Sequence, residues 1–406
     1  MKKPTMLYAS PFNPIQSGIS DYSETLVQAL QEQFEVTLLI KDYEMTNSYL
    51  MDTCKILKYG RDQIPFEEFD SIIYNIGNQP YYHDYIYRCC LEHPGLVILH
   101  EFSLYYLFIG VHSQDGDVLR EIYHLTGISG LHTVKSAIHN INWDLLECKR
   151  LAGELPLNQE LLQSGNKFMV HSDYTYQKVM QTGCVKPEQI RKINLIALID
   201  ETTEYMERKA LFEKYGVPQD ALILTSSGFI GNTKLNHVVC KVVTKLSKEL
   251  EQKICYVMVG AGNYTADGEK NSVDDYVDGK TIIKTGYTEI IEFNSFIKYS
   301  DIIINLRHPS MGETSSALIR ILGLGKICII SDEAWFSEIP GNCAIKIGID
   351  NIEKKLEYQI RELVQHPEKK IEYEKNAKAY IDTEHAGKVI VEKITQFLND
   401  KGQIEC

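Results

Sequence analysis

The sequence predicts an α/β protein built from two doubly wound domains. Three observations carry this prediction. Short apolar runs alternate with longer amphipathic ones, the rhythm of parallel strands joined by helical crossovers. The rhythm lapses once, into the charged stretch DETTEYMERKALFEKYGVP that follows Ile199, and then resumes as a second series. The chain has 406 residues, a length for two or three domains, and with 44% of them hydrophobic and 24% charged its composition is that of a folded soluble protein.

The first series reads PTMLYAS (4–10), VTLLIK (36–41), SIIYNIG (71–77), GLVILHE (95–101) and KFMVHS (167–172) as strands. DYSETLVQALQEQF, YHDYIYRCCLEH and SDYTYQKVMQTG read as helices between them. Residues 113–162 form a polar, mainly helical insertion. The second series reads ALILTSSGFI, KICYVMVG, TIIKTG, SDIIINLR and KICIIS as strands. In the tail, Val389, Val391, Ile394, Phe397 and Leu398 recur at helical spacing, so residues 386–398 predict an amphipathic terminal helix. The division is therefore 1–200 for the first domain, with 386–406 packing back on it, and 201–385 for the second, joined near 197–203.

Composition excludes several classes. A formal net charge of −13 argues against a nucleic-acid partner, which needs a basic surface to neutralise phosphates. The longest apolar stretch, 104–111, falls far short of the 18 or more residues a membrane span needs. The opening MKKPTMLYASPF reads as a first strand rather than a signal peptide. The ten cysteines contain no C-x-x-C and follow no disulfide framework, which fits reduced, mostly buried thiols of a cytoplasmic protein. His124, His132 and His139 recur at spacings that suit helix faces rather than a metal site. Asp274 and Asp275 lie in a polar loop and read as solvated.

Ligands of open α/β sheets bind outside the carboxyl ends of the strands, so the residues that follow each strand matter most. Four such loops stand out. In Pro14–Ser20, Gly18 allows close backbone approach and the next helix offers free N–H groups; the plainer reading is a turn with Ser20 or Asp21 as N-cap. His100 follows a buried strand and is placed either to meet a substrate or to serve the structure. In Ser226–Lys234, two glycines frame a tight loop and Lys234 can return as a point charge to a phosphate; its plain alternative is a solvated lysine. The fourth loop, Asn305–Leu318, collects Arg307, Gly312, Glu313 and the amides of Thr314, Ser315 and Ser316. A diphosphate suits free amides at a helix start, and Glu313 can accept hydrogen bonds from sugar hydroxyls. A capping box, Ser310-x-x-Glu313, would explain Ser310 and Glu313 without a ligand, but not Arg307 and Gly312 beside them.

Taken with PIQSGISDYS, YNIGNQPYYHDYIYR, PGLVILHEFSL, VHSDYT, GFIGNTK, LRHPSMGETSSALIRILGLGK and FSEIPG, these loops give the chain a resemblance to a known family. It resembles the nucleotide-sugar-dependent glycosyltransferases of the GT-B fold, in particular the retaining family 4, over nearly its whole length. The resemblance implies two Rossmann-like domains facing a central cleft, with the C-terminal helix returning to the first domain. It implies transfer of a sugar from a nucleoside-diphosphate donor to an acceptor (a glycan, a lipid-linked glycan or a protein) with retained configuration. It places the Gly18 loop beneath the donor diphosphate and sugar, His100 against the transferred sugar, and Lys234 on the diphosphate. Glu313 falls near the donor sugar's hydroxyls and the Gly286–Tyr287 turn near the base.

Two departures stand out. The family's second glutamate, eight residues after Glu313, is Ile321 here, so the ribose contact has no assigned residue. The arginine that often precedes the Lys234 position is also missing, and Arg307 is the residue placed to take over its charge. No cofactor and no metal are expected, because Lys234, Arg307 and helix amides can stabilise a diphosphate leaving group. Glu338 of FSEIPG is read as a brace. The expected location is cytoplasmic, with the inner face of the membrane left open because Tyr105, Tyr106, Leu107 and Phe108 either pack or touch a lipid carrier. Packing is the preferred reading. A competing reading is a catalytically silent homologue that partners an active transferase and presents its acceptor. A nucleotide-dependent oxidoreductase is disfavoured, because no G-x-G-x-x-G follows the first strand.

Overall fold

A computed structural model describes residues 2–114, 116–138, 145–147, 149–310 and 312–400. The chain forms two compact units. The first comprises Met1–Ile196, Met311–Thr314 and Gly387–Cys406; the second comprises Ala197–Ser310 and Ser315–Ala386.

The described residues of the first unit form seven parallel strands: β1 (Thr5–Ala9), β2 (Glu35–Ile40), β3 (Lys55–Lys58), β4 (Ser71–Ile76), β5 (Leu96–Leu99), β6 (Lys167–Val170) and β7 (Ile190–Lys192), in the order β3-β2-β1-β4-β5-β6-β7. The chain starts at β1, builds to one edge, then returns to β4 and builds to the other. The strand order therefore reverses between β1 and β4, the kind of point outside whose carboxyl ends open α/β sheets bind ligands. Leu7, Ala9, Tyr74, Ile76, Val97, Leu99, Phe168 and Val170 are buried in one core cluster on the sheet. Helices on both faces explain why these strands read as nearly unbroken apolar runs rather than alternating ones.

Helix Gly18–Leu30 follows β1. Ser17 caps it by accepting from Ile19 N at 3.2 Å, and Leu26, Val27 and Leu30 form its buried stripe. The cap is thus Ser17, not Ser20 or Asp21, because the helix begins earlier than its apolar spacing suggested. Gly18 is its first helical residue. The terminal helix Gly387–Asn399 packs on this helix through Ile390, Val391, Ile394 and Phe397, whereas Val389 and Leu398 stay partly exposed. Lys167 Nζ donates to Phe397 O (2.9 Å) and Asp400 O (2.7 Å), placing a cation on the carbonyls that a helix end leaves without partners.

The second unit holds six parallel strands: β8 (Leu222–Ser227), β9 (Ile254–Val259), β10 (Ile282–Gly286), β11 (Ile302–Asn305), β12 (Cys328–Ser331) and β13 (Ile345–Ile347), ordered β10-β9-β8-β11-β12-β13. Its order reverses between β8 and β11. Central β9, ICYVMV, is buried at every residue.

The sequence reading passed over three strands, β3, β7 and β13, which read KILK, IRK and IKI. All three are edge strands of three or four residues. An edge strand is half-solvated and often carries lysine to block further pairing, so it lacks the apolar run that marks a central strand.

Tyr105, Leu107 and Phe108 are buried in the helix Tyr105–Gln114, so they pack, as the preferred reading held. The eight described cysteines are free, and seven of them are buried. Among the described residues, no helix is long and apolar enough to cross a membrane.

Candidate functional site

In the second unit, the reversal point brings cationic groups together from two loops. The chain leaves β8 through Gly228 and makes a short 3-10 turn at Asn232–Lys234. This turn brings Lys234 Nζ back over the strand ends, where it donates to Asn305 Oδ1 (3.2 Å) and Ser227 O (3.4 Å). Asn305 closes β11, and its Nδ2 reaches Ser315 Oγ at 3.3 Å. Ser315 caps helix Ser316–Gly323 by accepting from Leu318 N at 3.1 Å. Asn305 therefore ties the Lys234 ammonium to the start of a helix whose first amides carry positive partial charge.

Arg307 joins them: its Nη1 donates to Thr233 Oγ1 (2.6 Å) and its N to Ser331 Oγ (2.9 Å). His308 N also donates to Thr233 O at 2.8 Å, which fastens the Arg307 loop to the Lys234 turn. A lysine, an arginine and a helix N-terminus thus stand together at a strand-order reversal, and these are the groups that binding an anion calls for.

Glycines allow the neighbouring loops to interlock. A Cβ on Gly260 would stand 2.2 Å from Gly228 O, and one on Gly262 would stand 2.2 Å from Ile230 O. Gly228 itself, at φ +106°, leaves Lys234 Nζ only 3.5 Å from the place its own Cβ would take. Gly286 ends edge strand β10 and forms a bridge with Gly260. Tyr287 after it is more than half exposed. The Gly286–Tyr287 turn thus lies two strands from Lys234, at the rim of the site.

The capping box that would have explained Ser310 and Glu313 without a ligand does not cap helix Ser316–Gly323. The helix starts at Ser316 under Ser315, and Ser310 N instead donates to Glu333 Oε1 at 3.1 Å. Glu313 lies ahead of the helix, partly exposed, in the segment Met311–Thr314 that belongs to the first unit. Thr314, partly exposed, follows it in the same segment, while Ser315 and Ser316 belong to the second unit. Gly312, at φ +89°, accepts from Thr175 Oγ1 at 3.1 Å. Ile321, at the missing glutamate's position, is fully buried in its helix.

In the first unit, the carboxyl ends of β4, β5 and β6 gather a second group. His100 Nε2 lies 3.1 Å from Asn75 Oδ1. An oxygen can only accept, so Nε2 carries the proton and Nδ1 is left as the acceptor. The ring meets Tyr22 edge-on at 4.9 Å and His171 at 5.2 Å. Burial, with His171 and His83 close by, holds the His100 pKa well below the ordinary histidine value, so the ring is neutral near pH 7. His171 Nδ1 donates to Ile193 O at 2.8 Å. His83 Nδ1 lies 3.0 Å from Asn75 O, and burial lowers its pKa to about 4. The Tyr22 hydroxyl is buried with no hydrogen-bond partner among the described residues.

Sequence reasoning named Gly18 and His100 here but missed Tyr22, Asn75, His83 and His171. One signal was present for His171: it is the first residue after β6, the same placement that drew attention to His100 after β5.

The remaining candidates are dispersed. His124 and His132 are exposed in the helical stretch Val118–Ile138, on opposite sides of its break at Gly127, and His139 lies outside the described residues. Asp274 pairs with Lys284 Nζ, and Asp275 accepts from Ser272 N at 2.7 Å. Among the described residues, no three His, Cys, Asp or Glu side chains are grouped to hold a metal.

No protein-family model and no curated protein sequence matches the chain. Solved structures do. Anabaena HepE in complex with UDP-glucose is 12% identical with a TM-score of 0.61, covering 97% of this chain and 99% of that one. WaaG, a glycosyltransferase involved in lipopolysaccharide biosynthesis, is 10% identical with a TM-score of 0.61, covering 98% and 100%. Sucrose-phosphate synthase from Thermosynechococcus elongatus is 13% identical with a TM-score of 0.62, covering 97% and 98%. At such identities the likeness is one of fold. The chain has the GT-B fold, with two Rossmann-like parallel-sheet domains.

Proposed function

We propose that this protein is a glycosyltransferase that moves a sugar from a nucleoside-diphosphate donor to an acceptor, with retention of configuration, as in family 4. One observation carries the reading: Lys234, Arg307 and the Ser316 helix start converge at the second unit's strand-order reversal. That is the chemistry a diphosphate requires. The structural neighbour HepE was solved with UDP-glucose, which fits the same donor class.

Bond cleavage leaves negative charge on the departing diphosphate. Lys234, Arg307 and the helix amides are preorganised for that charge, so they stabilise the transition state more than the ground state. In this reading they do so without a metal or other cofactor. Gly18, Gly312, Thr314, Ser315 and Ser316 complete the donor contacts, and Tyr287 lies beside the base. His100, neutral, hydrogen-bonds to the transferred sugar rather than carrying charge. The Glu313 carboxylate accepts from donor hydroxyls and supports the positive charge developing at the anomeric carbon. The acceptor is a glycan, a lipid-linked glycan or a protein, and the location is cytoplasmic.

The test is calorimetric binding of UDP, GDP and dTDP, followed by slow hydrolysis of UDP-glucose, GDP-mannose and dTDP-glucose by wild type and Glu313→Gln. One nucleotide should bind. The variant should melt as wild type does and lose turnover by about 10²-fold, the scale of removing one electrostatic stabiliser. Binding of none of the three nucleotides overturns the reading of the second unit. Full turnover in Glu313→Gln removes Glu313 from the mechanism.

A further inference from the structure

The four residues Met311–Thr314 belong to the first unit, although their neighbours on both sides in sequence belong to the second. Two interactions of the first unit hold them. Thr175 Oγ1 donates to Gly312 O at 3.1 Å. Gly312 also lies so close to the Tyr174 ring that a Cβ there would stand 2.7 Å from two ring carbons and 3.3 Å from Thr175 Oγ1.

Thr175 is itself fixed. It lies in the first turn of helix Asp173–Gln181, whose N-cap Ser172 accepts from Thr175 N at 2.9 Å. Ser172 Oγ in turn donates to Thr175 Oγ1 at 2.9 Å. Both residues are buried. The Thr175 hydroxyl therefore has an incoming donor on its oxygen and commits its own proton to Gly312 O.

That carbonyl belongs to the peptide joining Gly312 to Glu313. The peptide is planar, so fixing its oxygen fixes the direction in which the Glu313 Cα leaves. Ser172 follows His171 at the end of β6, and the His171 ring is 5.2 Å from that of His100. The hydrogen-bonded path Ser172–Thr175–Gly312 thus references Glu313 to the strand end that also supports His100.

From this geometry we infer that Thr175 is a positioning residue for Glu313. It sets the transfer rate by aiming the carboxylate, whereas the nucleotide is held chiefly by Lys234, Arg307 and the Ser316 helix start, none of which Thr175 touches. The inference rests on the reading of Glu313 given above.

The test compares Thr175→Val, which keeps the shape and removes the hydroxyl, with Thr175→Ser, which keeps the hydroxyl. Both are assayed beside Glu313→Gln with the nucleotide sugar that wild type hydrolyses. Thr175→Val should lose kcat by about 10- to 100-fold, the scale of a misplaced catalytic group. Its KM for donor and Kd for the nucleotide should stay within about twofold of wild type, and Thr175→Ser should recover most of the loss. Should Thr175→Val melt below the assay temperature, Thr175→Cys substitutes a weaker donor of similar shape and should fall between the two.

Full kcat in the hydroxyl-free variant while Glu313→Gln is inactive overturns the positioning role and leaves the glutamate's role standing. A loss confined to KM or Kd overturns it in favour of donor binding. Full turnover in Glu313→Gln overturns both.

Discussion

At the scale of the residue, the cationic site is held by neutral intermediaries. Lys234 reaches the helix start through Asn305, and Arg307 is fastened to the Lys234 turn through Thr233. The two cations were visible in the sequence because each follows a strand. The tie from Lys234 to the helix start was not, since Asn305 and Lys234 are 71 positions apart and an asparagine closing an apolar run carries no signal of its own. If the cations hold a diphosphate, Lys234→Ala and Arg307→Ala should each weaken nucleotide binding by about 1.5–3 kcal/mol, the range for hydrogen bonds to charged groups. Calorimetry reads this directly, and unchanged affinity in both variants refutes the assignment.

A second residue-level expectation concerns acid. Burial holds His83 at about 4, against 6.5 for a free histidine. Between these values the unfolded chain binds a proton that the folded chain refuses. Stability is therefore complete above about pH 6.5 and declines as pH falls toward 4, by roughly 3 kcal/mol at most from this group. His83→Gln cannot titrate. It should show a shallower loss of stability than wild type in urea unfolding between pH 6.5 and 4.5; parallel curves would contradict the assignment.

At the scale of the element, the interior strands were legible and only one of the four edge strands was. β1, β2, β4, β5 and β6 of the first sheet, and β8, β9, β11 and β12 of the second, announce themselves as apolar runs covered on both faces, and the edge strand β10 shows through the buried pair Ile282–Ile283. KILK, IRK and IKI do not, because an edge needs only a few apolar residues and benefits from charge. The loops after β8 and β9 illustrate a further constraint that spacing cannot convey. Gly262, at φ +118°, has the Ile230 carbonyl where a Cβ would go. Neither backbone can yield cheaply, so Gly262→Ala should destabilise the second unit by about 2 kcal/mol or more. Urea unfolding checks this, and a cost near zero would show that the interlocking of these loops is unimportant.

At the scale of the whole molecule, the chain crosses between units at Ile196–Ala197 and again at Ala386–Gly387, with the short return at Met311–Thr314 between them. The last crossing delivers helix Gly387–Asn399 to the first unit, where Ile390, Val391, Ile394 and Phe397 are buried and Lys167 caps its end. Ending the chain at Ala386 would uncover the matching face of helix Gly18–Leu30 and strand the Lys167 ammonium. Each lost large apolar contact is worth about 1.5–3 kcal/mol, so the first unit should unfold at markedly lower temperature while the second keeps its nucleotide binding. Calorimetry of the truncated chain reads both, and an unchanged melt would contradict the packing role.

The sequence by itself determined the fold class, the two-series organisation, the central strands and most of the positions that follow them, because apolar periodicity and turn residues are local. Only the tertiary structure decided which of those positions meet. It joined Lys234 to Ser315 through Asn305 and gathered Tyr22, Asn75, His83 and His171 about His100. It also attached Glu313 to the first unit through Thr175. The decisive contacts, Lys234–Asn305, Asn75–His100 and Thr175–Gly312, join residues tens to more than a hundred positions apart, fixed by strand order and by where a glycine lets backbones approach. No local pattern encodes such distances, and a hydrogen bond between two buried polar groups leaves no mark on the hydrophobic rhythm from which the fold is read.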